Sequence, residues 1–268
     1  MSSVILIPVA LGAVWAGGIW LGALLLAAAA VMTLEWIGIC LARGSSDNAW
    51  LPSPNPKAVV LLASVLLAAL AATLGLLFPA LVIAVTGTVS VLALTGVRRG
   101  LDDVILSFGV VYVALPIVSV MVLMGDNDYG LLSVFWVLAI VWATDSGAYA
   151  AGRLIGGAKL APAISPNKTW AGLAGGVSAA VAVAIGMVAL DLVDNTPRFV
   201  ALSMAVSLFS QGGDLLESAL KRHFDVKDSG TIIPGHGGAL DRLDGLLMAF
   251  PAVACVQLVA GSGAFIWQ

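Results

Sequence analysis

Long apolar runs separated by short polar breaks dominate the chain. Val4–Leu34, Ala58–Val97, Val104–Gly125, Tyr129–Thr144, Thr169–Leu190, Phe199–Gly213 and Gly245–Gln268 contain no charged residue. A helix needs roughly 20 apolar residues to cross a hydrocarbon core about 30 Å thick. The Ala58–Val97 run is twice that length, and Gly75 with Pro79 predicts a turn near its middle. The first run continues beyond Glu35 to Ala42 and holds Gly17-Gly18. It predicts a helical hairpin, with one long tilted helix as the alternative. The pattern predicts an all-α polytopic integral membrane protein with about nine transmembrane helices. We read it as a single transmembrane domain over 1–268, with apolar helices up to about residue 125 and the chemistry within about 126–268.

Composition excludes a soluble fold. Of 268 residues, 60% are hydrophobic and 10% charged, and the mean hydropathy is +1.07; soluble domains carry about 25% charged residues. No basic residue precedes Arg43, so a cleaved signal peptide is not expected. Cys40 and Cys255 sit in separate apolar segments without ligand spacing and read as small core residues. No internal repeat is visible.

Charge distribution predicts orientation. If the spans alternate, one side receives Arg43, Lys57, Arg98, Arg99, Arg153, Lys159, Lys168, Lys221, Arg222, Lys227 and Arg242, leaving Arg198 alone on the other. Positive loops stay in the cytoplasm. The large polar loops are therefore expected inside the cell, in its inner (plasma) membrane, with the C-terminus outside.

Three polar clusters fall on that side. In WATDSGAYAAGRLIGGAKLAPAISPNKTWAG (142–172), Asp145 interrupts a span, Gly152, Gly156 and Gly157 loosen the helix end before a loop, and Ser165–Thr169 then precedes the next span with Lys168 at its N-terminal edge. In QGGDLLESALKR (211–222), Asp214, Glu217, Ser218 and Lys221 share one helical face, and Gly212-Gly213 allow a close helix approach. In KDSGTIIPGHGGALDRLDG (227–245), a glycine-rich loop leads to Asp241 and Asp244, three apart where the last helix begins. Intramembrane acids are costly and mark sites. Asp145, Asp214 and Glu35 qualify, although Glu35 has no partner legible in the sequence. Hard oxygen ligands held together suit Mg²⁺ completed by substrate phosphates. The surplus of Lys168, Lys221, Arg222, Lys227 and Arg242 suits phosphate, and the Gly235–Gly238 backbone can approach an anion. Plainer readings stand beside these. Asp241 could be a helix cap and Asp244 a first-turn acid. Lys221-Arg222 could be an interfacial anchor, and His236 a hydrogen-bonding loop residue.

The stretch from Ser218 to Asp244 resembles the signature of the phosphatidate cytidylyltransferases (CDP-diacylglycerol synthases). It contains Ser218-x-x-Lys221-Arg222, then Lys227-Asp228, then His236-Gly237-Gly238-x-x-Asp241-Arg242-x-Asp244. The resemblance extends upstream through Gly213-Asp214-Leu215-x-Glu217-Ser218, Ser165-Pro166-x-Lys168-Thr169-Trp170 and Asp145-x-x-Ala148-Tyr149-x-x-Gly152-Arg153. It implies transfer of a cytidylyl group from CTP to phosphatidate, giving CDP-diacylglycerol and diphosphate for phospholipid synthesis. Mg²⁺, as two divalent ions, is the implied cofactor. The implied metal ligands are Asp214, Asp241 and Asp244, with Asp145 as a possible fourth. Lys168, Ser218, Lys221, Arg222, Lys227, His236 and Arg242 are the implied phosphate binders, and Lys221 and Arg242 join the three aspartates as catalytic candidates. The resemblance also implies a homodimer in the bilayer, and no nucleic-acid partner is expected.

One departure is visible. The family commonly has glutamate after Lys-Thr-Trp, where this chain has Ala171. On a helix running through both positions, residue 171 would share a face with Lys168. Two alternatives stay open: transfer to another lipid phosphate, or a cation-coupled transporter. A transporter should place its acids near the midplane on discontinuous, repeated helices.

Overall fold

The computed structural model describes residues 2–41, 55–94, 100–194, 196–230 and 237–268, with side chains from residue 7 onward. Arg43, Arg98, Arg99 and His236 therefore lie outside the described residues. Nine long helices follow in chain order within them: α1 Ser2–Ala16, α2 Gly18–Leu41, α3 Pro56–Thr73, α4 Leu77–Ala93, α5 Leu101–Met124, α6 Gly130–Leu154, α7 Trp170–Ala189, α8 Thr196–His223 and α9 Leu240–Ala260. A hairpin of β1 Lys159–Ala161 and β2 Ser165–Thr169 joins α6 to α7, and a short α10 spans Ala264–Trp267. Seven helices (α2, α3 and α5 to α9) are long and apolar enough to cross a membrane, while α1 and α4 are shorter. Large apolar side chains remain exposed on them, including Ile19 at 81%, Phe78 at 77% and Val259 at 84%. Such a surface matches hydrocarbon rather than water. The protein is an all-α polytopic membrane protein.

The chain forms two compact units, Met1–Met121 with Lys221–Leu243, and Val122–Leu220 with Asp244–Gln268. The end of α8 and the start of α9 thus group with the N-terminal helices.

In the first unit, the expected hairpin forms where Gly17 and Gly18 adopt φ of 62° and 46°, a region L side chains rarely enter. The long second run breaks at Gly75, φ 79°, whose N–H bonds to Ala72 O while Leu76 N–H bonds to Ala71 O. These bonds satisfy the orphan carbonyls at the end of α3, and Pro79 is accommodated in the first turn of α4. Trp36 is buried against Phe108 and Tyr112 and donates its ring N–H to Leu106 O at 3.2 Å. Gly109 makes this fit possible, since a Cβ there would lie 2.0 Å from the Trp36 ring nitrogen.

In the second unit, α6 and α7 pack through small residues. A Cβ on Gly147 would meet Gly175 O at 2.7 Å, and one on Gly175 would meet Gly147 O at 2.8 Å. At the far end Trp136, Phe199 and Trp267 cluster; the Trp136 and Trp267 ring N–H groups donate to Ser203 at 3.0 Å and Ser133 at 2.9 Å. Arg198 donates to Phe265 O at 2.8 Å and lies over the Phe265 ring.

Two local expectations are corrected. The loop expected after Gly156 and Gly157, which turn the chain with φ of 65° and 90°, is a hairpin in which β1 pairs with β2. Lys168 lies on this strand, and Thr169 caps α7 by accepting a hydrogen bond from Gly172 N–H at 3.0 Å. The helix begins at Trp170, so Lys168 and Ala171 do not share a helical face.

Candidate active site

In the second unit the hairpin, α6, α8 and α9 bring one lysine and three aspartates together. Lys168 on β2 places its ammonium 2.5 Å from the Asp214 carboxylate of α8. That nitrogen is shielded from solvent but has no well-aligned hydrogen-bond acceptor, so the contact is a charge pairing. Asp145 of α6 and Asp244 of α9 lie within electrostatic range of each other, of Asp214 and of Lys168. Asp244 accepts a hydrogen bond from Gly245 N–H at 2.7 Å, and Ser218, one turn beyond Asp214, reaches its carboxylate at 3.4 Å.

Small residues create this proximity. A Cβ on Gly213 would stand 2.5 Å from Asp244 O, and one on Gly245 would stand 2.4 Å from Ser210 Oγ. Substituting either would force α8 and α9 apart at the level of Asp214 and Asp244. The fully buried Glu217 follows on α8. Three carboxylates against one ammonium leave an excess of negative charge, the condition under which a cation is held. Among the described residues, however, no group of three or more acid, histidine or cysteine side chains is placed to hold a metal ion.

In the first unit a second acid pair is arranged differently. Lys221, at the end of α8, is ion-paired with Asp241 near the start of α9. The other oxygen of Asp241 accepts hydrogen bonds from Ser229 N–H at 2.9 Å and Gly238 N–H at 3.1 Å. Asp241 is the second residue of α9, so it is not the residue that begins the helix. Glu35 of α2 accepts from Ala239 N–H at 2.9 Å, Leu240 N–H at 2.8 Å and the Ser229 hydroxyl at 3.4 Å. Its partners lie 194 to 205 positions along the chain. The cost of a carboxylate within an apolar span signals that partners exist, but backbone N–H groups leave no trace in residue types. The sequence marked Glu35, and the structure alone found its partners.

The other basic candidates of this unit, Arg222, Lys227 and Arg242, are exposed. Arg222 donates to Val226 O at 3.1 Å. His223 pairs with Asp102 at 2.7 Å and Lys57 with Asp103 at 2.9 Å, two contacts the sequence did not suggest.

A phosphatidate cytidylyltransferase of Brucella suis is 45% identical over 141 residues, covering 53% of this chain and 52% of the relative. One from Bacillus subtilis is 48% identical over 129 residues, covering 47% of each. One from Staphylococcus epidermidis is 48% identical over 123 residues, covering 46% of this chain and 47% of the relative. The chain thus spans about half the length of the curated relatives it matches. The sequence profile of the cytidylyltransferase family matches residues 1–259, nearly the whole chain, and the protein belongs to that family.

Proposed function

We propose that this protein is a phosphatidate cytidylyltransferase that converts CTP and phosphatidate to CDP-diacylglycerol and diphosphate. The observation that carries the reading is the grouping of Asp145, Asp214 and Asp244 around Lys168, in a chain similar to enzymes of that name. A phosphate monoester with a second pKa near 6 is mostly dianionic at neutral pH. Its oxygen can attack the α-phosphorus of CTP without a strong general base. The new P–O bond forms as the bond to the β-phosphate breaks, and diphosphate leaves.

What the enzyme must supply is alignment and charge neutralisation, because two polyanions meet. Asp145, Asp214 and Asp244 supply negative charge that would attract divalent cations, Mg²⁺ by ligand hardness, with substrate phosphates completing the ligands and the cations offsetting phosphate charge. Lys168 exchanges its Asp214 partner for a phosphate oxygen. Lys221, Arg222, Lys227 and Arg242 are the further proposed phosphate ligands, with Lys221 steered by Asp241. We also place the chemistry at the cytoplasmic face of the inner membrane, on the basic-loop bias, and take the homodimer from the family resemblance.

Purified protein in detergent with Mg²⁺, phosphatidate and each of the four nucleoside triphosphates tests the reaction. Diphosphate release with CTP alone is expected; release with a polyprenyl phosphate but not with phosphatidate overturns the acceptor. For orientation, cysteines placed at the exposed Asn127 and Asp194 should react with an impermeant thiol reagent from outside, and one at exposed Asp228 should not. The tests use a background lacking Cys40 and Cys255. Ser229 is unsuitable for such labelling, being buried and bonded to Asp241.

A further inference from the structure

We infer that Glu35 is a positioning residue that caps α9 from another helix and so fixes the turn carrying Asp241 and Arg242. The proposal deepens the cytidylyltransferase reading and rests on it for the importance of that turn. An α-helix begins with backbone N–H groups that have no partner within the helix, and a residue of the helix's own sequence usually supplies one through its side chain. Here the carbonyl that opens α9 belongs to Ala239, which accepts from Arg242 and Leu243 N–H at 3.1 Å each. Alanine has no side chain able to cap. Instead, the two oxygens of Glu35 take the Ala239 and Leu240 N–H groups at 2.9 and 2.8 Å, while Ser229 Oγ faces the Asp241 N–H at 3.4 Å. Both oxygens of a buried carboxylate are committed to one helix terminus, where negative charge is favoured.

The neighbouring glycines fit the same purpose. A Cβ on Gly238 would stand 1.9 Å from Ser229 Oγ and 2.9 Å from the Glu35 carboxylate, and one on Gly230 would meet that carboxylate at 3.1 Å. Gly238 is therefore required so that the backbone can close over Glu35. This gives Gly238 a packing role.

The test compares Glu35→Gln, which keeps the volume, with Glu35→Asp, which keeps the charge and loses a methylene. Gly238→Ala serves as a variant on the opposite side of the contact, and Cys40→Ala as a control on α2. Amide hydrogen exchange of the peptide covering residues 237–250 is followed by mass spectrometry on the purified full chain. Exchange there should quicken about tenfold or more in Glu35→Gln and Gly238→Ala, the effect of losing one charge-assisted hydrogen bond. Glu35→Asp should retain more protection than Glu35→Gln, and Cys40→Ala should match the parent. With CTP and phosphatidate, kcat should fall while the KM for CTP moves less than about threefold, since alignment rather than ground-state binding is lost. Unchanged exchange in Glu35→Gln, or Gln tolerated better than Asp, overturns the cap and leaves Glu35 a volume filler. The exchange measurement needs no turnover, so failure of the proposed reaction is distinguishable from failure of the cap.

Discussion

Two groups of acids, one in each unit, behave oppositely. In the first unit, Glu35 and Asp241 are saturated: backbone N–H groups and the Lys221 ammonium occupy their oxygens. In the second, Asp145, Asp214 and Asp244 lie within electrostatic range of one another, with Lys168 paired to Asp214. A saturated carboxylate holds structure together, whereas a crowded one is held in place by the fold at a cost in repulsion. Residue type alone does not separate these cases. The difference lies in what occupies the oxygens, and it should be visible in how stability responds when each acid is removed.

The largest effect should follow from stripping a saturated acid. Asp241→Ala leaves Lys221 with its side chain only 11% exposed and without this partner. Removing one member of a buried pair costs about 3–5 kcal/mol, and denaturant unfolding should show most of that loss. A fully stable Asp241→Ala would erase the contrast between the units.

Asp214→Asn and Asp244→Asn should act the other way. Each removes a charge a divalent cation needs, so CTP-dependent turnover should fall about 10²-fold or more. In Asp244→Asn the melting temperature should hold or rise, because like-charge repulsion is relieved, whereas Asp214→Asn also removes the charge paired with Lys168. Loss of stability in Asp244→Asn would place that acid in the saturated class.

A smaller shift should come from Mg²⁺ itself. Saturation to ten times the dissociation constant stabilises a folded protein by about 1.4 kcal/mol. Thermal unfolding of the parent should move upward with Mg²⁺ and back with EDTA, and the response should vanish in Asp244→Asn but persist in Glu35→Gln. A response lost equally in both would mean that the two clusters are not separable by chemistry.

The smallest effect belongs to Asp126, a saturated acid of the second unit that lies outside the spans. Burial would raise its pKa, but N–H groups of Tyr129, Gly263 and Asp128 outweigh it and hold the carboxyl below its usual 3.8. A depressed folded value means that Asp126 contributes stability above about pH 4, which is lost as pH falls through the folded value. Asp126→Asn should flatten stability between pH 5 and 3. Parallel curves for variant and parent would show that these N–H contacts do not favour the charged form.

The fold was largely legible because hydrocarbon imposes a simple pattern. Charge-free runs located the helices, and Gly17-Gly18 and Gly75 marked their breaks, since backbone at those places turns through positive φ. Helix ends were less legible. The charge-free runs stopped at Thr144 and Gly213, yet α6 continues through Asp145 to Leu154 and α8 through Asp214 to His223. Backbone hydrogen bonding carries a helix past its apolar stretch when its polar residues find partners inside the protein. The β1–β2 hairpin escaped notice for a related reason: Ser165-Pro166-Asn167-Lys168 lacks the alternating pattern of a half-buried strand.

For the site, the sequence by itself determined which residues carry chemistry: acids and bases that an apolar chain keeps only for a purpose, in the order of a recognisable signature. Only the tertiary structure divided them. It grouped Asp145 with Lys168, Asp214 and Asp244, set Asp241 against Lys221, and gave Glu35 its partners across some two hundred residues. The physical reason is that a carboxylate's role depends on which donors reach its oxygens. Several of those donors here are backbone N–H groups, which nearly every residue possesses and no sequence distinguishes.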